Sequence, residues 1–204
     1  MIAIIDYGVG NLKSIENAVR FFHKDINVCI VSSPEDLKQY SKIILPGVGA
    51  FEDAINKIRE RGFNNALAEE VKKGKYLLGI CLGMQLLSTK SFEYGEHMGL
   101  NLIEGEVINF SDVSKTVKIP HMGWNDVEFS RSDKITENIA DKSDFYFVHS
   151  YFFNCKNPSD ILGITEYGIK FPSIINKDNI YGAQFHPEKS QESGLRFIRN
   201  FIEL

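Results

Sequence analysis

The sequence has few cysteines, and their positions exclude two kinds of site. There are only three, Cys29, Cys81 and Cys155, and no two of them form a Cys-x-x-Cys pair. An odd number of widely spaced cysteines does not make a disulfide framework, and zinc sites usually need closely spaced Cys or His pairs. We therefore expect a reducing, cytoplasmic location, and neither a disulfide-stabilised fold nor a bound metal.

Long apolar runs and runs of like charge are absent as well. No stretch approaches the about 18 consecutive apolar residues of a membrane span, and the apolar start, residues 1–5, is too short for a signal peptide. With 23 basic and 27 acidic side chains the formal net charge is -4, and neither sign is clustered. This balance predicts no binding to nucleic acid or to a membrane surface. A small molecule or another protein is the expected ligand.

The first half of the chain predicts alternating strands and helices. Its length of 204 residues and hydrophobic content of 43% fit one domain, residues 1–204, with a substantial core. Continuous apolar runs of four or five residues are typical of strands buried on both faces of a parallel sheet. Strands are predicted at 1–5, 28–31, 42–45 and 76–80, and helices at 12–23, from 34, and in two segments within 51–73.

The second half has a different pattern, in which short strands are separated by turn residues. Strands are predicted at 102–108, 116–119, 125–129, 145–148, 161–165, 173–176 and 180–184, and an amphipathic helix at 190–204. Such runs indicate antiparallel hairpins added to the parallel sheet. The predicted fold is therefore α/β, with an open, largely parallel (doubly wound) sheet flanked by helices and antiparallel hairpins in the second half.

Cys81 lies where a predicted strand meets a predicted helix, with Gly79 and Gly83 two residues to either side. A tight strand-to-helix turn with small neighbours is the arrangement that exposes a nucleophile. The N–H groups and the dipole at the start of the helix favour the thiolate. We predict that Cys81 is a catalytic nucleophile.

A cysteine nucleophile needs a base and a group that orients the base. His186 ends an apolar strand, and Glu188 follows two residues later, so the carboxylate is placed to accept the second ring N–H of the imidazole. The same residues could form a simple turn. We interpret His23 and His97 as solvated. We interpret His121 and His149 as structural, with His149 ordering the loop that carries Ser150.

An oxyanion site completes the prediction. The backbone N–H of Leu82, at the start of the helix, would supply one donor, and the flexible segment Gly47, Val48 and Gly49 would supply another. The residues alone thus predict acyl transfer by a Cys-His-Glu set. A dinucleotide-binding reading of Gly8-x-Gly10 is disfavoured, because Lys13 stands where a third glycine belongs.

Two motifs connect this sequence to a known family. The segments Gly79-Ile80-Cys81-Leu82-Gly83-Met84-Gln85 and His186-Pro187-Glu188 resemble those of the class I (triad) glutamine amidotransferases. Segments 6–12, 46–51, 120–125, 147–151 and 184–190 resemble the same family in the same order, so the resemblance spans almost the whole chain.

The resemblance implies a function and assigns roles to residues. Cys81 would attack the side-chain amide of glutamine, His186 would transfer protons, and Glu188 would orient His186. Gln85, Ser150 and Tyr151 would hold the substrate. No cofactor or metal is implied.

The resemblance also implies a partner. Ammonia would pass to a separate (β/α)8 cyclase/synthase subunit, in a heterodimer that serves histidine biosynthesis, and Asn11, Trp124 and Lys189 would lie at the interface. Similar proteins supply ammonia for amidation of surface-polysaccharide sugars, and the sequence leaves that acceptor open. Two readings of other classes are a catalytically silent binding subunit and a cysteine peptidase.

Overall fold

The computed structural model describes residues 1–22 and 25–204. Alternating strands and helices fill its first part, as predicted. They are β1 (Ile2–Ile5), α1 (Leu12–Phe22), β2 (Val28–Val31), a 3-10 helix (Pro34–Gln39), β3 (Lys42–Leu45), α2 (Phe51–Glu60), α3 (Phe63–Lys72), β4 (Tyr76–Ile80) and α4 (Leu82–Leu86). The predicted end of the first helix, His23, lies outside the described residues.

Strands dominate the second part, again as predicted. They are β5 (Lys90–Ser91), β6 (His97–Met98), β7 (Gly105–Asn109), β8 (His121–Phe129), β9 (Ser143–His149), β10 (Tyr151–Cys155), β11 (Ile161–Glu166), β12 (Lys170–Lys177) and β13 (Ile180–Ala183). The helices are α5 (Phe110–Val113) and α6 (Gln191–Glu203), with 3-10 turns at Lys134–Thr136, Pro158–Asp160 and Pro187–Lys189.

The strands of residues 1–22 and 25–204 form two sheets. The larger has nine strands in the order β2-β1-β3-β4-β13-β12-β11-β8-β9, and the smaller has the order β10-β7-β5-β6. In the larger sheet, β2, β1, β3, β4 and β13 run parallel, and the remaining strands continue antiparallel. This mixed α/β sheet with helices on its faces confirms the predicted fold class.

Apart from Lys42, at the start of β3, the parallel strands carry no charged residue, because both faces of the sheet are covered. In β1, Ile2 and Ile4 pack into one core with α1 and α6, whereas Ala3 and Ile5 pack into a second core with α2, α3 and α4. Side chains of a strand alternate between faces, so a strand that is buried on both sides has no polar position. The continuous apolar runs of the sequence reflect this arrangement.

Two long-range features of the fold create the site. Strand β13 pairs in parallel with β4, although about a hundred residues separate them, with Ala183 opposite Ile80. The segments that follow both strands therefore emerge side by side at the carboxyl edge of the sheet, where ligand sites of α/β folds occur. The chain also passes from the large sheet to the small one at Ser150, between β9 and β10.

Three details of the prediction are wrong or incomplete. Residues 116–119 form no strand; they lead into Pro120, which has no N–H for a sheet, and pack beside the turn after β11, where Tyr167 donates to the carbonyl of Lys118. Strands β5, β6 and β10 were not predicted. His97, interpreted as solvated, lies in β6 with a mostly buried side chain.

Among the helices that the structure describes, none has the length and apolar character to cross a membrane.

Candidate active site

The turn at Cys81 is as sharp as the sequence predicts. Cys81 has φ 53° and ψ -110°, a conformation that non-glycine residues rarely adopt and that is characteristic of functional turns. A Cβ atom on Gly83 would lie 1.9 Å from the carbonyl oxygen of Leu45, and one on Gly79 would lie 2.6 Å from that of Gly83. The two glycines are thus required because strand β3 and helix α4 pass so close to the turn.

Cys81, His186 and Glu188 lie next to one another. The Nδ1 atom of His186 is 2.9 Å from Oε1 of Glu188, and Cys81 lies close enough to the imidazole to act on its charge. Since Nδ1 faces the carboxylate, Nε2 is the ring atom left for the sulfur. Burial alone would lower the pKa of His186, but its interactions with Cys81 and Glu188 raise that pKa to about 10. A protonated imidazole beside the sulfur favours the thiolate.

The turn that carries His186 is fixed by strand β9. The backbone N–H of His186 donates to the carbonyl of Tyr146, and the N–H of Tyr146 donates to the hydroxyl of Ser190. That hydroxyl in turn donates to the carbonyl of His186 at 2.6 Å. This closed set of bonds holds the imidazole without using either of its ring nitrogens.

A cavity of about 580 Å³ opens over the sulfur. Such a volume is ample for a free amino acid. Its lining brings together most of the predicted site residues: Val48, Gly49, Cys81, Leu82, Gln85, Ser150, Tyr151 and His186. Gly47 and Glu188 are not among the lining residues. In the described part of the chain, no three His, Cys, Asp or Glu side chains are arranged as metal ligands would be.

Both hydrogen atoms of the Gln85 side-chain amide are donated to groups within the protein. Its side-chain nitrogen donates to the carbonyl of Tyr151 at 2.8 Å and to Oε1 of Gln184 at 3.1 Å. An amide NH₂ has two hydrogens, so only the Gln85 oxygen remains for a ligand. Gln184 is fully buried, and its own nitrogen lies 3.8 Å from the sulfur of Cys81, to which it donates.

The segment predicted to supply oxyanion donors packs against the start of α4. A Cβ atom on Gly47 would lie 2.7 Å from the backbone nitrogen of Gly83 and 2.9 Å from the hydroxyl of Tyr7. Gly49 has φ 92° with open space around it, so backbone conformation is what requires glycine there. Tyr7 is fully buried and donates to the carbonyl of Pro46 at 2.9 Å, which anchors the segment.

The sequence-based prediction did not include several polar residues of this site, among them Gln184 and Glu93. Glu93 lines the cavity and accepts a hydrogen bond from the backbone N–H of Phe51, at the start of α2. Burial raises the pKa of Glu93. An acidic residue in a polar loop carries no local signal that it faces a cavity, whereas Gln184 could have been noticed as a polar residue within an apolar strand.

The three predicted interface residues are exposed. Asn11 caps the start of α1, where its side chain accepts from the N–H of Ser14. Trp124 is 47% exposed and contacts the ring of Tyr146, over which the ammonium of Lys189 lies at 5.8 Å. Trp124, Tyr146 and Lys189 thus form one aromatic and basic patch, and Tyr146 connects it to the turn of His186.

Comparison with known sequences gives a match over nearly the full chain. Residues 3–204 match the family model described as glutamine amidotransferase class-I. The chain is 47% identical to the imidazole glycerol phosphate synthase subunit HisH of Sulfurimonas denitrificans (strain ATCC 33889 / DSM 1251), with 100% of this chain and 98% of that protein aligned. It is also 47% identical to subunit HisH 2 of Methanococcus maripaludis, with 100% and 99% aligned.

Solved structures show the same fold at lower identity. A structure described as PurLQS from Thermotoga maritima superposes with a TM-score of 0.75 at 18% identity, covering 99% of this chain and 97% of that one. A structure described as a glutamine amidotransferase gives a TM-score of 0.74 at 21% identity, covering 100% and 98%.

Proposed function

The chain belongs to the class-I glutamine amidotransferase family, and from this premise we propose that it hydrolyses glutamine through Cys81, His186 and Glu188 and passes the ammonia to a separate synthase subunit. The observation that supports this most directly is the hydrogen-bonded pair of His186 and Glu188 next to Cys81 at one cavity. A buried carboxylate behind an imidazole, with a cysteine in front of it, is the arrangement of nucleophilic acyl transfer.

The first half-reaction uses the thiolate and the imidazolium. The sulfur of Cys81 adds to the amide carbon of glutamine, and the negative charge moves to the amide oxygen. His186 then gives its proton to the amide nitrogen, so that ammonia leaves and a glutamyl thioester remains. Glu188 keeps Nδ1 protonated and the ring in place, which leaves Nε2 for both proton transfers.

The second half-reaction uses water. His186, now neutral, takes a proton from a water molecule that attacks the thioester, and glutamate and the thiolate are released. In both steps the oxygen carries a transient charge, for which the N–H of Leu82 and those of Val48 and Gly49 are the proposed donors. Each such donor contributes about 3 kcal/mol in comparable sites.

At the amino-acid end of glutamine, hydrogen-bond acceptors of the cavity would bind the α-ammonium group and backbone donors would bind the α-carboxylate. The free oxygen of Gln85 and the carboxylate of Glu93 are acceptors in the cavity, so they suit the α-ammonium group. Ser150 and Tyr151, which line the cavity where the chain changes sheets, suit the α-carboxylate through their backbone N–H groups. A substrate without a free amino group, such as an internal peptide bond, has no partner for these acceptors.

The relatives named above support a partner and a pathway. We propose that the chain is the glutaminase subunit of an imidazole glycerol phosphate synthase and binds a (β/α)8 cyclase/synthase subunit of the HisF kind. Ammonia would travel through an internal path to that subunit, which makes imidazole glycerol phosphate and AICAR. The patch of Trp124, Tyr146 and Lys189, with Asn11, is the proposed contact surface. Activity of the free chain is expected to be low.

We further propose that residues 1–204 act as one glutaminase domain in the cytoplasm. The placement of β13, near the end of the chain, between β4 and β12 of the large sheet supports one unit, because the two halves share a sheet. A catalytic free thiol supports a reducing compartment. The proposed steps require no cofactor.

The test uses the complex with its synthase partner. Cys81→Ala should abolish glutamine-dependent synthase activity and leave activity with ammonium salts unchanged. Cys29→Ala, which removes a cysteine outside the cavity, serves as the matched control and should retain both activities. Glutamine use by the Cys81→Ala complex would refute the proposed nucleophile.

Further experiments distinguish this proposal from a catalytically silent subunit and from a cysteine peptidase, and they identify the acceptor of the ammonia. A silent subunit would fail to react covalently at Cys81 with a diazoketone analogue of glutamine, as read by intact mass. A peptidase would cleave peptides in preference to glutamine. If the partner that co-purifies with the chain acts on a surface-polysaccharide sugar, the glutaminase chemistry stands and the histidine pathway does not.

A further inference from the structure

Two buried histidines next to the site have no part in the mechanism above. His121 begins β8 and His149 ends β9, and the two are paired directly across the strands. They are 2% and 7% exposed. Nδ1 of His121 lies 2.9 Å from Nε2 of His149. A direct contact between two buried imidazoles is unfavourable unless one donates and the other accepts, so their protonation states matter.

The direction of this hydrogen bond follows from its surroundings at one end. Nδ1 of His149 lies 2.8 Å from the carbonyl oxygen of Tyr151, which can only accept. Nδ1 of His149 therefore carries the hydrogen, and in a neutral ring Nε2 is then an acceptor. His121 must accordingly donate from Nδ1.

The other end of the pair gives the same answer independently. The side-chain nitrogen of Asn125 donates to the carbonyl of Glu166 at 2.9 Å and lies 3.2 Å from Nε2 of His121. Because the Asn125 nitrogen is a donor, Nε2 of His121 accepts and its Nδ1 carries the hydrogen. Both ends thus define one chain of donors that runs from Asn125 through His121 and His149 to the carbonyl of Tyr151.

An aromatic enclosure keeps both imidazoles neutral. Rings stack on or abut the pair, and burial lowers the pKa of His121 to about 4 and that of His149 to about 3. Protonation of His149 would place two N–H groups face to face between the rings, and protonation of His121 would place an N–H group against the side-chain nitrogen of Asn125. The enclosing rings are Phe110, Phe147, Tyr167 and Phe171.

The chain of hydrogen bonds continues into the site. The carbonyl of Tyr151 also accepts from Gln85, whose second hydrogen is donated to Gln184, which in turn donates to the sulfur of Cys81. The Tyr151 carbonyl is therefore the junction between the histidine pair and the side chain that presents an acceptor to the cavity. If this carbonyl turned away, one N–H of Gln85 would lose its acceptor and the Gln85 oxygen would no longer be held toward the ligand.

We propose that His149, with its tautomer fixed by His121, is a positioning residue that holds the backbone at Tyr151 and, through it, the substrate-binding amide of Gln85. The proposal rests on the proposed function, because it concerns binding of glutamine in the same cavity. It assigns His149 a task distinct from that of His186: it touches no reacting atom and transfers no proton. Its effect should therefore fall on glutamine binding.

Two variants of His149 separate the bond to Tyr151 from the volume of the ring. In His149→Phe the ring remains and both hydrogen bonds are lost. In His149→Asn the side-chain nitrogen can take the place of Nδ1 and still donate to Tyr151. In the complex, the KM for glutamine should rise about tenfold in His149→Phe and stay within about threefold of wild type in His149→Asn, as expected for loss of one hydrogen bond to a buried group. Ammonia-dependent activity should be unchanged in both.

A second readout distinguishes positioning from a general loss of structure. Alkylation of Cys81 by the diazoketone analogue of glutamine should slow about tenfold in His149→Phe, whereas alkylation by iodoacetamide, which lacks an amino-acid end, should match wild type. If His149→Phe does not fold, His121→Phe is used; it keeps His149 but removes the donor that fixes its tautomer. His121→Asn, which retains a donor at the Nδ1 position, is its control.

The outcomes are distinguishable from failure of the proposed function. Inactive wild-type complex with glutamine would refute that function and this inference together. With wild type active, an unchanged KM in the Phe variants would overturn the inference alone. Equal impairment of the Phe and Asn variants would also overturn it, because the donor to Tyr151 would then be irrelevant.

Discussion

Acid should destabilise this protein well before its carboxylates are protonated. His121 and His149 remain neutral in the folded state because burial lowers their pKa values to about 4 and about 3, whereas in the unfolded chain a histidine takes up a proton near pH 6.5, about its unperturbed pKa. Their contribution to stability is therefore complete above about pH 6.5 and is lost as the pH falls toward the folded pKa values. The ionisable groups in contact with the pair are His186, beside His149, and Tyr167, stacked on His121.

The magnitude follows from one proton per histidine. For each histidine that takes up a proton on unfolding, the free energy of unfolding falls by about 1.4 kcal/mol per pH unit as the pH is lowered. Between about pH 6.5 and pH 5 this amounts to about 2 kcal/mol for each histidine and about 4 kcal/mol for the pair. Many domains have a total stability of only about 5–15 kcal/mol. His186, whose pKa is raised to about 10, is protonated in the folded state throughout this window and in the unfolded state below about pH 6.5, so it adds little slope toward pH 5; its contribution is lost as the pH rises from about 6.5 through about 10.

Urea unfolding at a series of pH values measures this slope. His149→Asn removes one of the two linked protons, so its unfolding free energy should fall less steeply than that of wild type, by about 1.4 kcal/mol per pH unit between about pH 6.5 and pH 5. Other titrating groups, such as Glu93, are common to both proteins and cancel in the difference. Parallel slopes for wild type and variant would refute the assignment of a neutral, buried His149.

Three further substitutions address groups around the sulfur. Gln184→Leu removes the donor to Cys81 and leaves the Gln85 amide without its acceptor, so kcat with glutamine should fall about tenfold; an unchanged kcat would exclude a role at the sulfur. Glu93→Gln removes the proposed partner of the α-ammonium and should raise the glutamine KM about tenfold without changing ammonia-dependent activity. Tyr7→Phe leaves the Pro46 carbonyl unpaired in the core and should lower the unfolding free energy by about 1–3 kcal/mol in urea, whereas wild-type stability would show that the bond contributes little.

The first half of the fold was predictable because its signals are local. The run 28–31 is apolar without interruption, and the run 42–45 is apolar after Lys42. Both end at turn residues, and the strands begin and end where predicted. Burial on both faces leaves no polar position in such a strand, so its limits are visible in the sequence.

The second half was less predictable because its strands depend on their partners. Residues 116–119 have strand-like composition but lie beside a turn with no strand to pair with, whereas Tyr151–Cys155 is a strand because β7 is available. The composition Phe145 to Phe153 gives no sign that the chain leaves one sheet for another at Ser150. Pairing is a tertiary property, and strand propensity is a weak guide to it.

The candidate site divides in the same way. The sequence by itself determined the sharp turn at Cys81, because Gly79 and Gly83 leave room for it, and the association of His186 with Glu188, because two residues of backbone connect them. Only the tertiary structure decided that β13 lies beside β4, which brings His186 to the sulfur. It also decided that Glu93 and His149 line the same cavity, and that Gln184 and His121 are hydrogen-bonded to residues of that lining. Local steric constraints depend on residues that are adjacent in the sequence, whereas contacts between residues about a hundred positions apart depend on how the whole sheet is assembled.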